Sequence, residues 1–169
     1  MFNSIKVVII ISVISFLSLT ASGQDKKGFG FVEGQVNSQG GSQLNVYGEY
    51  KLTKRCGVFV WVLVSKNYQE AYAGPNCSIN NHLTVAVGVG IESPGKLRVG
   101  GSVWAGNKKI ENFTAWEVAG SGPWYKTTTK VPVSKNIKVG VIAQRFKGVG
   151  AHGEYNFSKK PVQISGDLF

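Results

Sequence analysis

The sequence is short of acidic residues, of cysteine and of histidine, and each shortage narrows what the chain can be. Only 9 Asp and Glu stand against 19 Lys and Arg, a formal net charge of +10, so an anionic neighbour is expected among lipid headgroups, lipopolysaccharide, nucleic acid or acidic glycans. The basic residues do not form one block. They fall at Lys26-Lys27, Lys51-Lys54-Arg55, Lys108-Lys109, Lys135-Lys138, Arg145-Lys147 and Lys159-Lys160, mostly at expected turns, which is the spacing of solvated strand ends; no nucleic-acid partner is expected. The two histidines, His82 and His152, would need a third ligand to hold a metal, Glu154 being the nearest in sequence. Nothing in their spacing demands one, and neither metal nor cofactor is expected. No serine sits in a nucleophile elbow and no acidic pair has a recognisable catalytic spacing, so no residue argues for an enzyme. After residue 28 no window keeps a helical period.

The first 23 residues read as a secretory signal: Lys6, an apolar run from Val7 to Leu19, then small Ala21, Ser22 and Gly23, too short a run for a comfortable membrane-spanning helix. Cleavage is expected near Gly23 and Gln24. A retained anchor is the alternative, and the absence of a cysteine at the cleavage site argues against a lipoprotein. Residues 24–169 then make a single domain, since that length builds one real core and not two.

Alternation recurs throughout this domain between turn signals. Expected strands are 28–37, 42–52, 57–65, 68–76, 82–91, 96–105, 109–119, 123–133, 136–146 and 148–157, with a possible last strand at 161–168. The turns are marked by Asn37-Ser-Gln-Gly-Gly, Lys66-Asn67, Ser93-Pro-Gly, Gly106-Asn-Lys, Gly120-Ser-Gly-Pro and Lys147-Gly148. About ten strands joined by tight turns predict an all-β, antiparallel up-and-down meander that closes into a barrel, because closure removes unpaired edges. If Lys66 and Asn67 form a two-residue hairpin loop, residues whose numbers sum to 133 stand opposite, as 56 and 77 do. Cys56 and Cys77 are then placed to form a disulfide, which fits an exported protein; two independent buried thiols are the alternative.

Which face is enclosed decides the rest. In His82–Gly106, Leu83, Val85, Val87, Val89, Ile91, Leu97, Val99 and Val103 alternate with Thr84, Ala86, Gly88, Gly90, Arg98, Gly100, Ser102 and Trp104. A soluble barrel covers its outer face with Lys, Glu, Arg, Gln and Thr. Glycine and alanine suit a crowded interior instead, where they make room for Trp104 and Phe113 and for charged groups to pair. The candidate interior polar residues are Glu33, Glu49, His82, Arg98, Glu111, Glu117, Lys138, His152 and Glu154. The valine-rich face is then turned to lipid, with aromatic residues expected at the interfaces: Phe29, Phe31, Trp61, Tyr68, Tyr72, Trp116, Trp124, Tyr125, Phe146, Tyr155 and Phe157.

With its leader, its "VAVGVGIE" and "IKVGVIAQRF" strands and its terminal Phe169, the chain resembles the small bacterial outer-membrane β-barrels over residues 28 to 169. The resemblance implies a barrel in the cell outer membrane with a structural or weakly channel-like role, touching membrane lipid or lipopolysaccharide. The chain departs from that pattern in two ways. "PVQISGDLF" places Asp167, Ser165 and Gln163 in the phase of Phe169, and long external loops are missing.

Other motifs carry less. "GVGAHG" at Gly148–Gly153 has the letters of a dinucleotide loop but is followed by strand-like sequence rather than a helix. The sequons at Asn76, Asn112 and Asn156 fit coincidence, the last two falling inside strands. Two other readings stand beside the membrane barrel. One is a secreted or periplasmic soluble barrel binding an apolar or anionic ligand in a cavity lined by Leu83, Val85, Val87, Val99 and Val139. The other is a cationic secreted β-sandwich acting on microbial surfaces.

Overall fold

A computed structural model of the chain describes residues 28–36, 41–157 and 162–169; the expected leader and the basic pairs at 26–27 and 159–160 lie outside the described residues. The strands are β1 (Gly28–Val36), β2 (Ser42–Lys51), β3 (Cys56–Ser65), β4 (Gln69–Asn80), β5 (Leu83–Glu92), β6 (Lys96–Gly106), β7 (Glu111–Ala119), β8 (Trp124–Pro132), β9 (Ile137–Gln144), β10 (Gly148–Asn156) and β11 (Val162–Leu168). No helix occurs among the described residues. Every strand pairs with its neighbours in sequence, and β1 pairs with β11 to close the barrel. The expected meander is thus present, with the possible last strand formed and supplying the closure.

That closure has a consequence the alternation pattern does not carry. In a meander each strand reverses the one before it, so an odd number of strands leaves the first and last pointing the same way. The eleven-stranded barrel therefore closes through a parallel seam, with Gly30 opposite Val162, Gly34 opposite Gly166 and Val36 opposite Leu168, whereas all other pairs are antiparallel. Single-chain bacterial barrels have even strand numbers, so the seam departs from the class the sequence resembles. It also puts the start of β1 and the end of β11 at opposite ends of the barrel.

The β3–β4 hairpin has the register expected from its loop. Cys56 faces Cys77 and the two are joined in a disulfide, their Cα atoms 4.1 Å apart. In the next hairpin a bulge lies between Ser78 and Asn80, which carries β4 further than expected and moves the turn to Asn81 and His82. Two glycines allow close approach here. A Cβ on Gly74 would lie 2.1 Å from the Val87 carbonyl oxygen, and one on Gly88 would lie 2.8 Å from the Phe59 ring; no side chain fits at either place.

The enclosed face holds Phe59, Trp61, Tyr72, Ala86 and Ala115 as a buried cluster, with Tyr47, Phe113 and Trp124 packed on it. Trp61 contacts the Phe113 and Trp124 rings at centroid distances of 6.1 and 6.5 Å. This aromatic mass reaches across the barrel from β3 to β8 and occupies much of its waist. The small residues of β5 and β6 make room for Phe59 and Tyr72 rather than for Trp104 and Phe113.

Replacing Gly34 and Gly166 by a cysteine pair tests the seam. The parallel closure places them opposite each other, so oxidised protein is expected to carry a second cross-link between residues 34 and 166, read by mass spectrometry of its peptides.

Candidate functional site

The polar phase of each strand turns inward, and each described carboxylate belongs to it. Glu33, Glu70, Glu92, Glu117, Glu154 and Asp167 are buried, and Glu49 and Glu111 line an interior cavity. The opposite phase is apolar and open: Val87 is 57% exposed, Leu97 76%, Val141 60% and Val149 75%. Val87, Val99 and Val139 thus lie on the outer wall and cannot line a cavity. This overturns the ligand site expected for a soluble barrel, because the lumen belongs to the other phase.

The barrel has two unlike ends. The described turns after β3, β5, β7 and β9 lie at one end, where the lumen is sealed; those after β2, β4, β6 and β8 lie at the other, which is open. At the sealed end the Arg98 guanidinium is held on all sides. Its Nη1 donates to Glu92 Oε2 at 2.6 Å and to Ser121 Oγ at 2.8 Å, and its Nε donates to the Tyr72 hydroxyl at 2.8 Å. Its Nη2 faces Glu117 Oε2 at 2.9 Å and the Gly122 carbonyl at 3.0 Å. That accounts for the donor capacity of a guanidinium. The Tyr68 hydroxyl lies 2.5 Å from Glu70 Oε2 and 2.7 Å from Glu92 Oε2. Burial first, and then these two carboxylates, push its pKa well above the ordinary tyrosine range.

Beneath Arg98 a second group centres on Glu33, which pairs with Lys126 and accepts from Asn45 Nδ2 at 2.6 Å and Gln35 Nε2 at 3.1 Å. Gln35 also donates to Asp167 at 2.8 Å, and His152 Nδ1 lies 2.5 Å from that carboxylate. Glu33, His152 and Asp167 offer ligand atoms within 4.8 Å of one another, the spacing of a cation site. The Lys126 ammonium pairs with Glu33 there, and His152 Nε2 is buried without a partner. Lys147, in the turn after β9, reaches Gln35 and Gln43 at 2.6 and 3.1 Å. Burial, and next the neighbouring Lys126 cation, hold its ammonium below the ordinary lysine range.

Toward the open end Lys138 bonds Glu111 at 2.7 Å and Glu154 at 3.1 Å, and Lys130 pairs with the same two carboxylates. Beyond them is a cavity of about 350 Å³ whose wall includes Phe29, Phe31, Tyr47, Trp104, Lys51 and Arg55.

The structure therefore brings Glu111, Lys138 and Glu154 into one cluster and pairs Arg98 with Glu117, while Glu33 and His152 share the second group. Glu49 stands apart, bonded to Tyr47 and Asn76 at 2.9 and 2.7 Å. His82 is a correction: the longer β4 leaves it exposed in a turn, its Nδ1 2.9 Å from the Gly106 carbonyl. It cannot meet His152. The sequence reading missed Gln35, Asn45, Glu70, Glu92, Lys126, Lys130 and Asp167, although each shares the phase of a carboxylate or of Arg98 on its own strand or the paired one. Gly148–Gly153 lies in β10 and leads into another strand, without the helix a phosphate loop needs.

The expected interfacial aromatics also divide. Phe29, Phe31, Tyr68, Tyr72, Trp61 and Trp124 face the lumen. Those exposed on the outer wall are Trp116, Tyr125 and Phe146 toward the sealed end, and Tyr155 and Phe157 toward the open end, where Tyr50, not among those expected, joins them. Phe169, in phase with Asp167, packs against the Lys147 ammonium at 5.4 Å rather than on the outer wall.

Fold and lumen together define a closed β-barrel with a charged, hydrogen-bonded inside and an apolar outside. No family model, curated protein or solved structure matches the chain.

Breaking the Arg98 group tests how far the sealed end depends on it. Arg98→Met leaves Glu92 and Glu117 buried without their counter-ion and is expected to cost about 3 to 5 kcal/mol of unfolding free energy, measured by urea titration. Adding Glu92→Gln and Glu117→Gln is expected to restore part of it.

Proposed function

We propose that this chain is an exported, non-catalytic outer-membrane β-barrel whose role is structural. The observation that carries the reading is the segregation of charge: each described carboxylate lies within the lumen, and the outer wall between the turns is uncharged and mostly Val, Ile, Leu, Gly, Ala and aromatic. In water such a wall leaves a continuous apolar surface unsatisfied, and in a bilayer it meets hydrocarbon. Strands of 7 to 12 residues suit a tilted crossing, and the exposed aromatics sit near both ends, where a bilayer has its interfaces. A polar patch interrupts the wall on β7 and β8, but it is internally satisfied. Asn112 donates to Thr127 and Thr129 at 3.2 and 2.9 Å and accepts from Thr114 at 3.0 Å.

The structural role is favoured over the channel role because the waist is occupied by Trp61, Tyr72, Phe113 and Trp124 and the sealed end by the Arg98 group. Both groups obstruct a water path along the lumen. The exposed cations Lys51, Lys54, Arg55, Lys108, Lys109 and Lys135 crowd the open end, against Lys66 and Lys96 at the other, with no exposed carboxylate among the described residues. Anionic headgroups, phospholipid or lipopolysaccharide, are the partners such a rim attracts, at about 1 kcal/mol per residue near a charged surface.

Fractionation of the native cell tests the location: the chain is expected with the outer membrane and in solution only with detergent. Val87→Arg or Val141→Arg is expected to cost about 2 to 4 kcal/mol of folding into lipid, whereas Thr84→Arg, on the lumen side, is expected to leave insertion intact. Recovery of the chain as a soluble monomer, or stepwise conductance in planar bilayers, would contradict this reading.

A further inference from the structure

The chemistry of the open cavity is not used by a structural role. One wall carries rings from β1 and β2: Phe31 stacks on Tyr47 at 5.0 Å, 15° from parallel, with Phe29 beside them. Across from it β4, β5 and β6 present small hydroxyls, Ser78 and Thr84 bonded at 3.0 Å, with Ser102 beside them. Glu49 lies between the two walls. Asn76, itself buried, gives its amide to Glu49 and keeps a carbonyl oxygen with no donor. At the mouth Lys51 and Arg55 belong to the cavity wall, and neither has an ion-pair partner among the described residues. Their paired counterparts Lys130 and Lys138 are spent on Glu111 and Glu154.

We propose that this vestibule binds a small anionic saccharide, its ring inside and its phosphate or carboxylate at Arg55 and Lys51. A sugar ring has an apolar face for the aromatic wall and hydroxyls on its edge, which can donate to Glu49 and Asn76 and bond the Ser and Thr side. A flat aromatic anion satisfies the rings alone and leaves the hydroxyl wall unused, and inorganic phosphate satisfies only the mouth. Arginine is suited to the mouth because its planar fork takes two oxygens at once. The cavity's volume accommodates one or two sugar rings. The site depends on the lumen's geometry and not on where the barrel resides.

Calorimetric titration of the full-length barrel in an uncharged polyoxyethylene detergent tests this. Glucose 6-phosphate, mannose 6-phosphate, glucuronate and galacturonate are the probes, and glucose and inorganic phosphate the controls. At least one probe is expected to saturate a single site at least about tenfold more tightly than either control, a gap of about 1.4 kcal/mol. Arg55→Ala is expected to erase that advantage, while Lys66→Ala, at the sealed end, leaves it intact. Phe31→Leu is expected to weaken the sugar probes and spare phosphate, with heat-shifted gel mobility confirming that each variant folds. The proposal is overturned if no probe exceeds inorganic phosphate, or if the Arg55 and Lys66 variants behave alike. Equal affinity for a phosphate probe and a carboxylate probe leaves charge as the shared determinant, and preference for one names the source.

Discussion

The constraint on which this structure depends is that the outer wall between the turns carries no carboxylate among the described residues, and so each described carboxylate finds its partners inside. Glu33, Glu92, Glu117, Glu154 and Asp167 are buried side chains whose neighbours are Lys126, Arg98, Lys130, Lys138 and His152. Lys126 on β8 reaches Glu33 on β1 and Lys130 on β8 reaches Glu154 on β10, whereas Arg98 on β6 and Glu117 on β7 come from neighbouring strands. Pairing of both kinds ties the wall together from within, and the Lys126–Glu33 pair works only if the wall is closed. Breaking one pair leaves a charge that has neither water nor counter-ion, which is why such pairs resist removal even where they add little net stability.

From that inward demand the remainder follows. Alternation along a strand is strict, so committing Glu, Arg and Lys to the lumen commits the residues between them to the outside. Gly88, Gly90 and Gly100 then serve the lumen as space, because the Phe59 and Tyr72 rings occupy the room their side chains would need. The aromatic waist and the Arg98 group seal the barrel toward one end and leave the other as a basin. Charge outside the lumen is what remains after the carboxylates are withdrawn, and it is positive and concentrated where the basin opens. The same segregation therefore produces the apolar wall, the sealed waist and the cationic mouth.

Much of this was legible in the sequence, because period-two alternation reports both the strands and their phase. Val85, Val87 and Val89 against Ala86, Gly88 and Gly90 fixed which residues share a face, and the Lys66-Asn67 loop fixed a register that put Cys56 opposite Cys77. The parallel seam was not legible. Alternation does not count strands, and β11 carries Gln163, Ser165 and Asp167, a polar phase that looks weak until His152 and Gln35 are seen to meet it. His82 was misplaced because a bulge near Ile79 lengthens β4, and a single extra residue changes where a turn falls. The inward rings of Phe29, Phe31 and Tyr72 could have been found, since they share a phase with Glu33 and Glu70. Trp61 could not be placed by its own strand, which is apolar on both sides; only the cysteine register, which sets it opposite Tyr72, brings it inside.

The orientation of the wall can be read directly by tryptophan quenching. Variants that keep a single tryptophan, Trp116 on the outer wall or Trp61 in the waist, are reconstituted in bilayers of lipids brominated along their acyl chains. The account requires strong quenching of Trp116 and little of Trp61. Equal quenching of both, or none of either, would show that the apolar face does not meet acyl chains.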